Sequence, residues 1–391
     1  MRVRTVLASA GAPLLAAALA TALALPAAPA PAPAPAHAAT ARALDAAVRS
    51  GVPGATVTVH DPRGTWSATA GTGDLRTGGP RSPGDRYRIG SLTKTFVATV
   101  LLQLEAEGRL SLDDTVDTWL PGLVEGHGND GRRITLRQLL GHTSGIPDYT
   151  ADPDFRARYL TEDGFRRHRY EALAPRRLVA MALRHAPDFA PGTSWRYSNT
   201  NYVIAGMVIE KATGRSYATE ITRRLIEPLR LTATSVPVGE VEVPRPSSRA
   251  YSTFGGSVGE PYDVTDLDPS LAAASGAMIS DSADLDRFYA ALLGGRLLPA
   301  RQSGELRTTV AIAQAPGVRY GLGLMDRRLS CGVHVWTHTG DILGSTSVAA
   351  ATPDGRHTLA LNFNGDWAGD TTAVLDAEYC GTAGRSVPAR N

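Results

Sequence analysis

The residues best suited to chemistry in this chain lie at Ser91-Leu92-Thr93-Lys94, where a serine precedes a lysine by three positions. Only Lys94 and Lys211 are lysine, while the remaining 38 of the 40 basic residues are arginine. Unlike arginine, a lysine can lose its proton in a suitable pocket. On a helix this spacing puts both side chains on one face, so Ser91 and Lys94 are predicted to form an activated nucleophile.

Two short motifs later in the chain supply further polar groups. Tyr197-Ser198-Asn199 follows a loop that begins at Pro191-Gly192, and His338-Thr339-Gly340 lies on a predicted strand. Taken singly, Tyr197 is typical of a core aromatic, Asn199 of a helix cap and His338 of an ordinary strand residue. Their order after the Ser-x-x-Lys motif favours catalytic and substrate-binding roles instead.

Hydrophobic periodicity predicts strands at both ends of the chain and helices between them. Residues 54–71 alternate apolar and polar side chains around a Pro-Arg-Gly turn, which predicts a β-hairpin. A helix with period 3.6 is predicted to follow Ser91 and to end near Gly108. Later strands are predicted at residues 320–324, 333–338, 347–350 and 358–362, the last two joined by the turn Pro353-Asp354-Gly355.

Because strands need partners, we expect the two ends of the chain to share one antiparallel sheet flanked by helices, in an α/β (α+β) fold. The middle of the chain is predicted to form an inserted all-helical lobe. The prediction therefore has an α/β lobe at residues 39–100 and 265–391 and a helical lobe at 101–264, together one catalytic unit over 39–391. Ser91 lies near their junction, and a cleft between lobes is a usual place for an active site.

Residues 1–38 are predicted to form a signal peptide. Arg2 and Arg4 give a basic start, residues 6–25 are mostly Ala and Leu, and Ala36-His37-Ala38 is a small-residue cleavage pattern. A membrane span is the alternative, but Ala-rich segments insert weakly, and the leader has no cysteine for lipid attachment. The mature chain is therefore expected to be secreted and extracellular, without a membrane anchor.

Composition and charge narrow the possible partners. The formal net charge of +2 is accounted for by the two leader arginines, so neither nucleic acid nor an anionic membrane surface is indicated. The nine histidines show no metal-ligand spacing, and we expect a monomer without metal or cofactor. Cys331 and Cys380 are the two cysteines, and in an exported protein such a pair is predicted to form a disulfide.

Together the three motifs resemble those of serine β-lactamases and penicillin-binding proteins, in which Ser-x-x-Lys is followed by a polar triplet and a Lys-Thr-Gly strand. The Tyr-Ser-Asn and His-Thr-Gly variants are similar to the class C-like branch, and most to secreted D-alanyl-D-alanine carboxypeptidases of Streptomyces. The resemblance runs over about residues 45–381. It includes Gly141-His142-Thr143-Ser144-Gly145, Tyr320-Gly321-Leu322-Gly323 and Cys331. It implies the β-lactamase/transpeptidase-like fold.

The resemblance also implies a role for each motif. Ser91 attacks the substrate carbonyl and becomes acylated, Lys94 takes the serine proton, and Tyr197 passes a proton to the leaving amine. The backbone N–H groups of Ser91 and Asp341 form the oxyanion hole. The residues implied to bind substrate are Asn199, His338, Thr339 and Gly340. His142 is interpreted as part of the loop structure.

Two positions depart from the carboxypeptidase pattern. Those peptidases bind the substrate's terminal carboxylate with a threonine directly after His-Thr-Gly and an arginine six residues before the first cysteine, positions that hold Asp341 and Met325 here. An aspartate repels a carboxylate unless a cation compensates. Arg327 and Arg328 are near in sequence, but adjacent strand positions face opposite sides.

The leading expectation is a secreted serine hydrolase that acts through an acyl-enzyme as a D-Ala-D-Ala carboxypeptidase on peptidoglycan peptides and binds penicillins. Its partners are then small peptide or β-lactam substrates. Asp341 favours the alternative of a class C-like esterase, amidase, D-aminopeptidase or β-lactamase. A second alternative is a penicillin-binding sensor that stays acylated. A Gly-x-Ser-x-Gly match at residues 255–259 is interpreted as a loop, because it lacks the strand and helix of a nucleophile elbow.

Overall fold

The structure is a computed structural model that describes Met1 and residues 36–256 and 260–381. Most of the predicted signal peptide and Ser257 of the Gly-x-Ser-x-Gly match lie outside these residues. The described residues from His37 onward belong to one compact unit. Within the described ranges, no helix is long and apolar enough to cross a membrane.

Strands come in runs near both ends of the described chain, with most of the helices between them. The α-helices are α1 (Ala38–Arg49), α2 (Thr93–Ala106), α3 (Val116–Trp119), α4 (Leu136–Leu140), α5 (Pro153–Tyr159), α6 (Glu162–His168), α7 (Pro175–Ala182), α8 (Asn199–Thr213), α9 (Tyr217–Ile221), α10 (Glu227–Leu229), α11 (Ser282–Leu293), α12 (Ala300–Leu306) and α13 (Thr371–Cys380). The strands are β1 (Gly54–Asp61), β2 (Gly64–Asp74), β3 (Gly79–Pro80), β4 (Tyr87–Arg88), β5 (Glu125–Gly126), β6 (Asn129–Asp130), β7 (Tyr251–Ser252), β8 (Tyr262–Asp263), β9 (Ile279–Ser280), β10 (Val310–Ala311), β11 (Val318–Tyr320), β12 (Met325–Arg328), β13 (His334–Ile342), β14 (Ser345–Ala351) and β15 (Thr358–Phe363).

One antiparallel sheet joins the two ends of the chain, which confirms the predicted architecture. Its strand order is β10-β11-β12-β13-β14-β15-β1-β2-β3. The central pairing aligns Val57 of β1 with Leu361 of β15. The predicted hairpins β1–β2 and β14–β15 are both present. A sheet built this way brings β13, from the end of the sequence, beside the segment that carries Ser91.

Helices cover both faces of this sheet. Alternate strand residues such as Val57 and Val59 pack with α1 and α13 on one face, while α2 and α11 belong to the larger core on the other. Helix α1 was not predicted from the sequence. It contains six alanines, and its buried face consists of Thr40, Leu44 and Ala47, which is a weak apolar signal.

Residues 320–324 form a corner and not the single predicted strand. β11 ends at Tyr320 and β12 begins at Met325. Between them Gly323 has φ of 72°, in the left-handed region that favours glycine. An added Cβ at Gly323 would lie 2.7 Å from the Ala98 side chain and 2.9 Å from the Lys94 carbonyl oxygen. The corner therefore packs directly against the helix that carries Lys94.

Helices predominate among the regular elements at residues 101–264, with one correction to the all-helical prediction. It also contains two small antiparallel pairs, β5–β6 and β7–β8. These strands have two residues each, which is too short for a period-two pattern to be recognised in the sequence.

The two chain ends are tied together at α13. The predicted disulfide between Cys331 and Cys380 is present, with a Cα–Cα distance of 5.8 Å. On the same helix, Glu378 accepts a hydrogen bond of 2.6 Å from Thr40 Oγ1 and lies 3.0 Å from His37 Nδ1. His37 thus contributes to the compact unit, whereas the predicted 1–38 boundary would remove it. That boundary stays a prediction.

Candidate active site

Ser91 lies in a short 3₁₀ turn, Gly90–Leu92, directly before α2. The turn follows β4, and Gly90 at its start has φ of 52°. An added Cβ at Gly90 would lie 2.8 Å from the backbone nitrogen of Asp341, so glycine permits β13 to approach the turn closely. Because Lys94 is in the first turn of α2, both side chains of the Ser-x-x-Lys motif point into one site.

Lys94 is fully buried and makes three polar contacts. Its Nζ lies 2.9 Å from Ser91 Oγ. It donates to Asn199 Oδ1 at 2.7 Å and to the backbone carbonyl oxygen of Ser275 at 2.8 Å. Burial lowers the pKa of Lys94 to about 7, opposed only in part by the charge of Asp148. The lysine can therefore exchange a proton near neutral pH.

Tyr197 lies against the same lysine. Its ring centroid is 4.7 Å from Lys94 Nζ and 4.3 Å from the centroid of the His142 ring. Although part of Tyr197 reaches the cleft, the surrounding side chains desolvate it and raise its pKa well above 10, with a hydrogen bond to Ser91 acting in the opposite direction. Tyr197 is therefore a neutral phenol at ordinary pH.

Asn199 connects the site to a carboxylate. It is the first residue of α8, and its Nδ2 donates to Asp148 Oδ2 at 3.0 Å while its Oδ1 accepts from Lys94. Both ends of the amide are thereby occupied, so the side chain does not cap α8. The interpretation of Asn199 as a site residue agrees with this placement.

The predicted residues of β13 form the opposite wall. Strand β12 pairs with β13 only over residues 334–337, so the following residues have no strand partner on that edge among those described. An added Cβ at Gly340 would lie 2.0 Å from the Ile89 carbonyl oxygen, which shows how closely this edge meets the Ser91 turn. Thr339 is half-buried. His338 is buried, and both of its ring nitrogens contact protein atoms.

A pocket of about 250 Å³ opens beside Ser91 and Asn199. Its walls are largely aromatic and aliphatic, and Asp341 is the one Asp or Glu among them. Burial by the cleft walls raises the pKa of Asp341, although its side chain still reaches solvent. The lining residues are Ser91, Tyr149, Thr150, Phe155, Tyr159, Leu160, Asn199, Leu267, Leu271, Ala272, Ser275, Gly276, Asp341, Ile342 and Leu343.

Neither of the nearby arginines reaches this pocket. Arg327 Nη1 donates to Thr372 Oγ1 of α13 at 3.1 Å, and Arg328 is exposed. Met325 is buried in a small cluster with Tyr320. No Lys, Arg or His occurs among the described residues that line the pocket. The charge of Asp341 is therefore not compensated by a cation in the pocket wall.

Sequence reasoning missed several residues of the site. Asp148, Ser275 and Tyr320 contact its members, and Phe155 and Tyr159 shape the pocket. Ser275 contributes a backbone carbonyl, which no residue type would reveal. His142 was interpreted as loop structure, and it lies buried below Tyr197 with hydrogen bonds from the loop and α8.

Comparison with known proteins agrees with this geometry. The Beta-lactamase family model matches residues 30–378. Penicillin-binding protein 4* of Bacillus subtilis is 27% identical over 301 residues, which cover 73% of this chain and 62% of that protein. The chain thus spans less than two thirds of that relative's length.

Two solved structures are similar to nearly the whole described chain. A D-stereospecific amidohydrolase from Streptomyces sp. is 56% identical, with a TM-score of 0.85, and the match covers 89% of this chain and 100% of that one. A D-amino acid amidase from Ochrobactrum anthropi SV3 is 28% identical, with a TM-score of 0.73, and the match covers 84% of this chain and 90% of that one. With the motifs, the fold and the family model in agreement, the chain belongs to the serine β-lactamase and penicillin-binding protein family.

Proposed function

We propose that this protein is a serine amidohydrolase that cleaves amides of D-amino acids bearing a free α-ammonium group, through an acyl-enzyme on Ser91. The observation that carries the proposal is Asp341, an uncompensated carboxylate in the pocket beside Ser91. A carboxylate there attracts a substrate ammonium and repels a substrate carboxylate. The D-stereospecific amidohydrolase and D-amino acid amidase similar to this chain support the D configuration.

The first step needs a base that accepts the Ser91 proton. A neutral lysine amine has two N–H bonds and one lone pair. Asn199 Oδ1 and the Ser275 carbonyl oxygen can only accept hydrogen bonds, so they take the two N–H groups of Lys94. The lone pair is then directed at Ser91 Oγ, 2.9 Å away. Proton transfer to Nζ accompanies formation of the bond between Oγ and the amide carbon.

Breaking the C–N bond needs a proton on the leaving nitrogen. Tyr197 is suited to deliver it, because its raised pKa keeps the phenol protonated and its ring lies against Lys94. The proton taken by Lys94 can then replace the one that Tyr197 gives up. Water attacks the resulting ester by the reverse sequence and releases the D-amino acid and free Ser91.

The oxyanion formed in each step is assigned to two backbone N–H groups. These belong to Ser91 and Asp341. The Ser91 turn and β13 come into contact at these residues, because Gly90 and Gly340 have no side chains to keep them apart. Donors fixed in this way stabilise the developing charge without rearrangement. Thr339 and Gly340 would line the same edge beside the substrate.

The pocket favours a bulky apolar side chain on the substrate. Tyr149, Phe155 and Tyr159 form a chain of aromatic contacts with centroid distances of 5.0 Å. Burying a Phe-sized side chain there contributes roughly 1.5–3 kcal/mol. D-phenylalanine amide is therefore a suitable first substrate.

The carboxypeptidase prediction has no comparable support in the pocket, because none of the described residues that line it is a cation that could bind a terminal carboxylate. It stays a prediction, as do secretion, the monomeric state and the alternative of a sensor that stays acylated. Direct substrate binding by His338 also stays a prediction. Its burial and its two hydrogen bonds favour an indirect role.

A substrate panel with a matched Asp341 variant tests the proposal. We expect turnover of D-phenylalanine amide, weaker turnover of N-acetyl-D-phenylalanine amide, and little turnover of the L-amide or of a peptide ending in D-Ala-D-Ala. Asp341→Asn should raise KM for the free-amine substrate about 10- to 100-fold, because it removes a charge-assisted hydrogen bond of that strength. The KM for the acetylated substrate should not change. Preferred cleavage of the D-Ala-D-Ala peptide would reject the proposal in favour of a carboxypeptidase.

A further inference from the structure

Tyr320 lies between two buried histidines that come from opposite walls of the cleft. Its Oη is 3.1 Å from His142 Nε2 and 2.9 Å from His338 Nε2. All three side chains are at most 1% exposed. His142 belongs to the loop after α4 in the helical lobe, whereas His338 lies on β13. The hydroxyl therefore spans the two walls.

The atoms around His338 determine which of its two ring nitrogens carries the hydrogen. Its Nδ1 is 2.6 Å from the carbonyl oxygen of Thr339, which can only accept a hydrogen bond. Nδ1 must therefore carry the hydrogen. Burial and the charge of Lys94 lower the pKa of His338 to about 3, so the ring is neutral and Nε2 has a lone pair. Tyr320 O–H donates to that lone pair.

His142 has the opposite arrangement. Its Nδ1 lies 3.2 Å from the backbone nitrogen of Ser198, an obligatory donor, and 3.1 Å from Asn201 Nδ2. Ser144 Oγ accepts from a backbone N–H and donates to Asn201 Oδ1 at 2.7 Å, so the Asn201 amide presents its Nδ2 to His142. His142 Nδ1 is consequently an acceptor, and burial lowers the pKa of the ring well below 6.5. Its hydrogen is on Nε2 and points at Tyr320.

These bonds form one directed chain from Ser198 through His142, Tyr320 and His338 to Thr339. Both ring nitrogens of each histidine and the Tyr320 hydroxyl have partners in it, and a fully satisfied buried polar network stabilises a structure. The chain begins at the backbone N–H of Ser198, the residue after Tyr197, and the His142 ring contacts the Tyr197 ring. The other end is attached to the β13 edge beside the oxyanion hole.

We infer that Tyr320 is a positioning residue: its hydroxyl accepts from His142, donates to His338, and thereby holds Tyr197 and β13 at their working separation. The consequence for turnover rests on the proposed function, but the hydrogen-bond directions do not. Removing this hydroxyl leaves two buried imidazole nitrogens without partners at once, one donor and one acceptor. Small displacements of catalytic groups can cost about 100-fold in rate.

The test is ¹⁵N NMR of the imidazole nitrogens in the full-length protein, assigned by loss of signals in His142→Asn and His338→Gln. We expect hydrogen on Nε2 of His142 and on Nδ1 of His338 across about pH 5 to 8, where an unperturbed histidine titrates. The ionisable groups facing this network are Lys94, Tyr197, Tyr202 and Tyr289. The opposite tautomer at either histidine would overturn the inference, whether or not the protein hydrolyses D-amides.

The companion variant is Tyr320→Phe, with Tyr379→Phe as control. The Tyr379 hydroxyl also donates a hydrogen bond, in its case to the carbonyl oxygen of Ala350, but Tyr379 belongs to α13. We expect Tyr320→Phe to lower kcat/KM about 10- to 100-fold, mainly through kcat, and to bring a histidine titration into the observed pH range. The control should do neither. A Tyr320→Phe protein with kcat/KM within about twofold of wild type and unchanged histidine signals would contradict the inference.

Discussion

Replacing Asp148 by asparagine is expected to move the acid limb of the kcat/KM profile to lower pH. In the wild type that limb should lie near pH 7, because Lys94 must be neutral to accept the Ser91 proton and its pKa is about 7. The negative charge of Asp148 raises the pKa of Lys94. Asparagine keeps an oxygen acceptor for Asn199 Nδ2 but removes the charge, so protonated Lys94 becomes less stable.

The size of the shift follows from the connection through Asn199. A single amide joins the two groups, with hydrogen bonds of 2.7 Å to Lys94 and 3.0 Å to Asp148. Unit charges at roughly 7 Å interact by about 2 kcal/mol at an effective dielectric constant of about 20. This is about 1.5 pKa units, and water in the cleft reduces it to an expected shift of about one unit. At pH 6 the neutral fraction of Lys94 would then rise about fivefold.

The assay is kcat/KM for N-acetyl-D-phenylalanine amide from about pH 5 to pH 9, with each protein normalised to its own plateau, because this substrate has no α-ammonium group that titrates in that range. Asp154→Asn is the control, because it makes the same chemical change at an exposed side chain. Neither His142 nor His338 can produce a limb near pH 7, since burial lowers the pKa of both far below that value. A limb that does not move in Asp148→Asn, or moves to higher pH, would refute Lys94 as the base.

Two further predictions concern the scaffold. Gly340→Ala should lower kcat/KM about 100-fold, because its Cβ would collide with the Ile89 carbonyl oxygen at 2.0 Å and push β13 away from the Ser91 turn. Gly304→Ala, which meets no atom within 4 Å, is the control, and equal loss in both would contradict this reasoning. Replacing Cys331 and Cys380 by serine should lower the free energy of unfolding, measured in denaturant titrations, by about 2–4 kcal/mol. The value of kcat/KM should be retained. An unchanged free energy of unfolding would contradict a constraining role of the disulfide.

The parts of the site that could be predicted from sequence are those whose chemistry is local. The spacing of Ser91 and Lys94 reflects one helical turn, and the period-two stretches identify the strands of the sheet. The order of the motifs then indicated which side chains converge. Residue type and spacing were sufficient there, because each signal lies within a few consecutive residues.

The remaining features depend on contacts between distant segments. Asp148 reaches the site only through Asn199, and the contribution of Ser275 is a carbonyl group that every residue possesses. The aromatic pocket is formed by side chains that look like ordinary core residues in sequence. Residues 320–324 were predicted as one strand because apolar residues alternate there, whereas only Tyr320 belongs to β11 and the positive φ of Gly323 turns the rest into a corner.

The central claim is that Ser91 carries the acyl group. Its most direct test is the intact mass of enzyme quenched in acid during turnover of the p-nitrophenyl ester of D-phenylalanine, followed by peptide mapping, with Ser91→Ala alongside. We expect one D-phenylalanyl group per wild-type chain, located at Ser91, and neither acylation nor turnover in Ser91→Ala. An acyl group on another residue, or turnover by Ser91→Ala at the wild-type rate, would contradict the account.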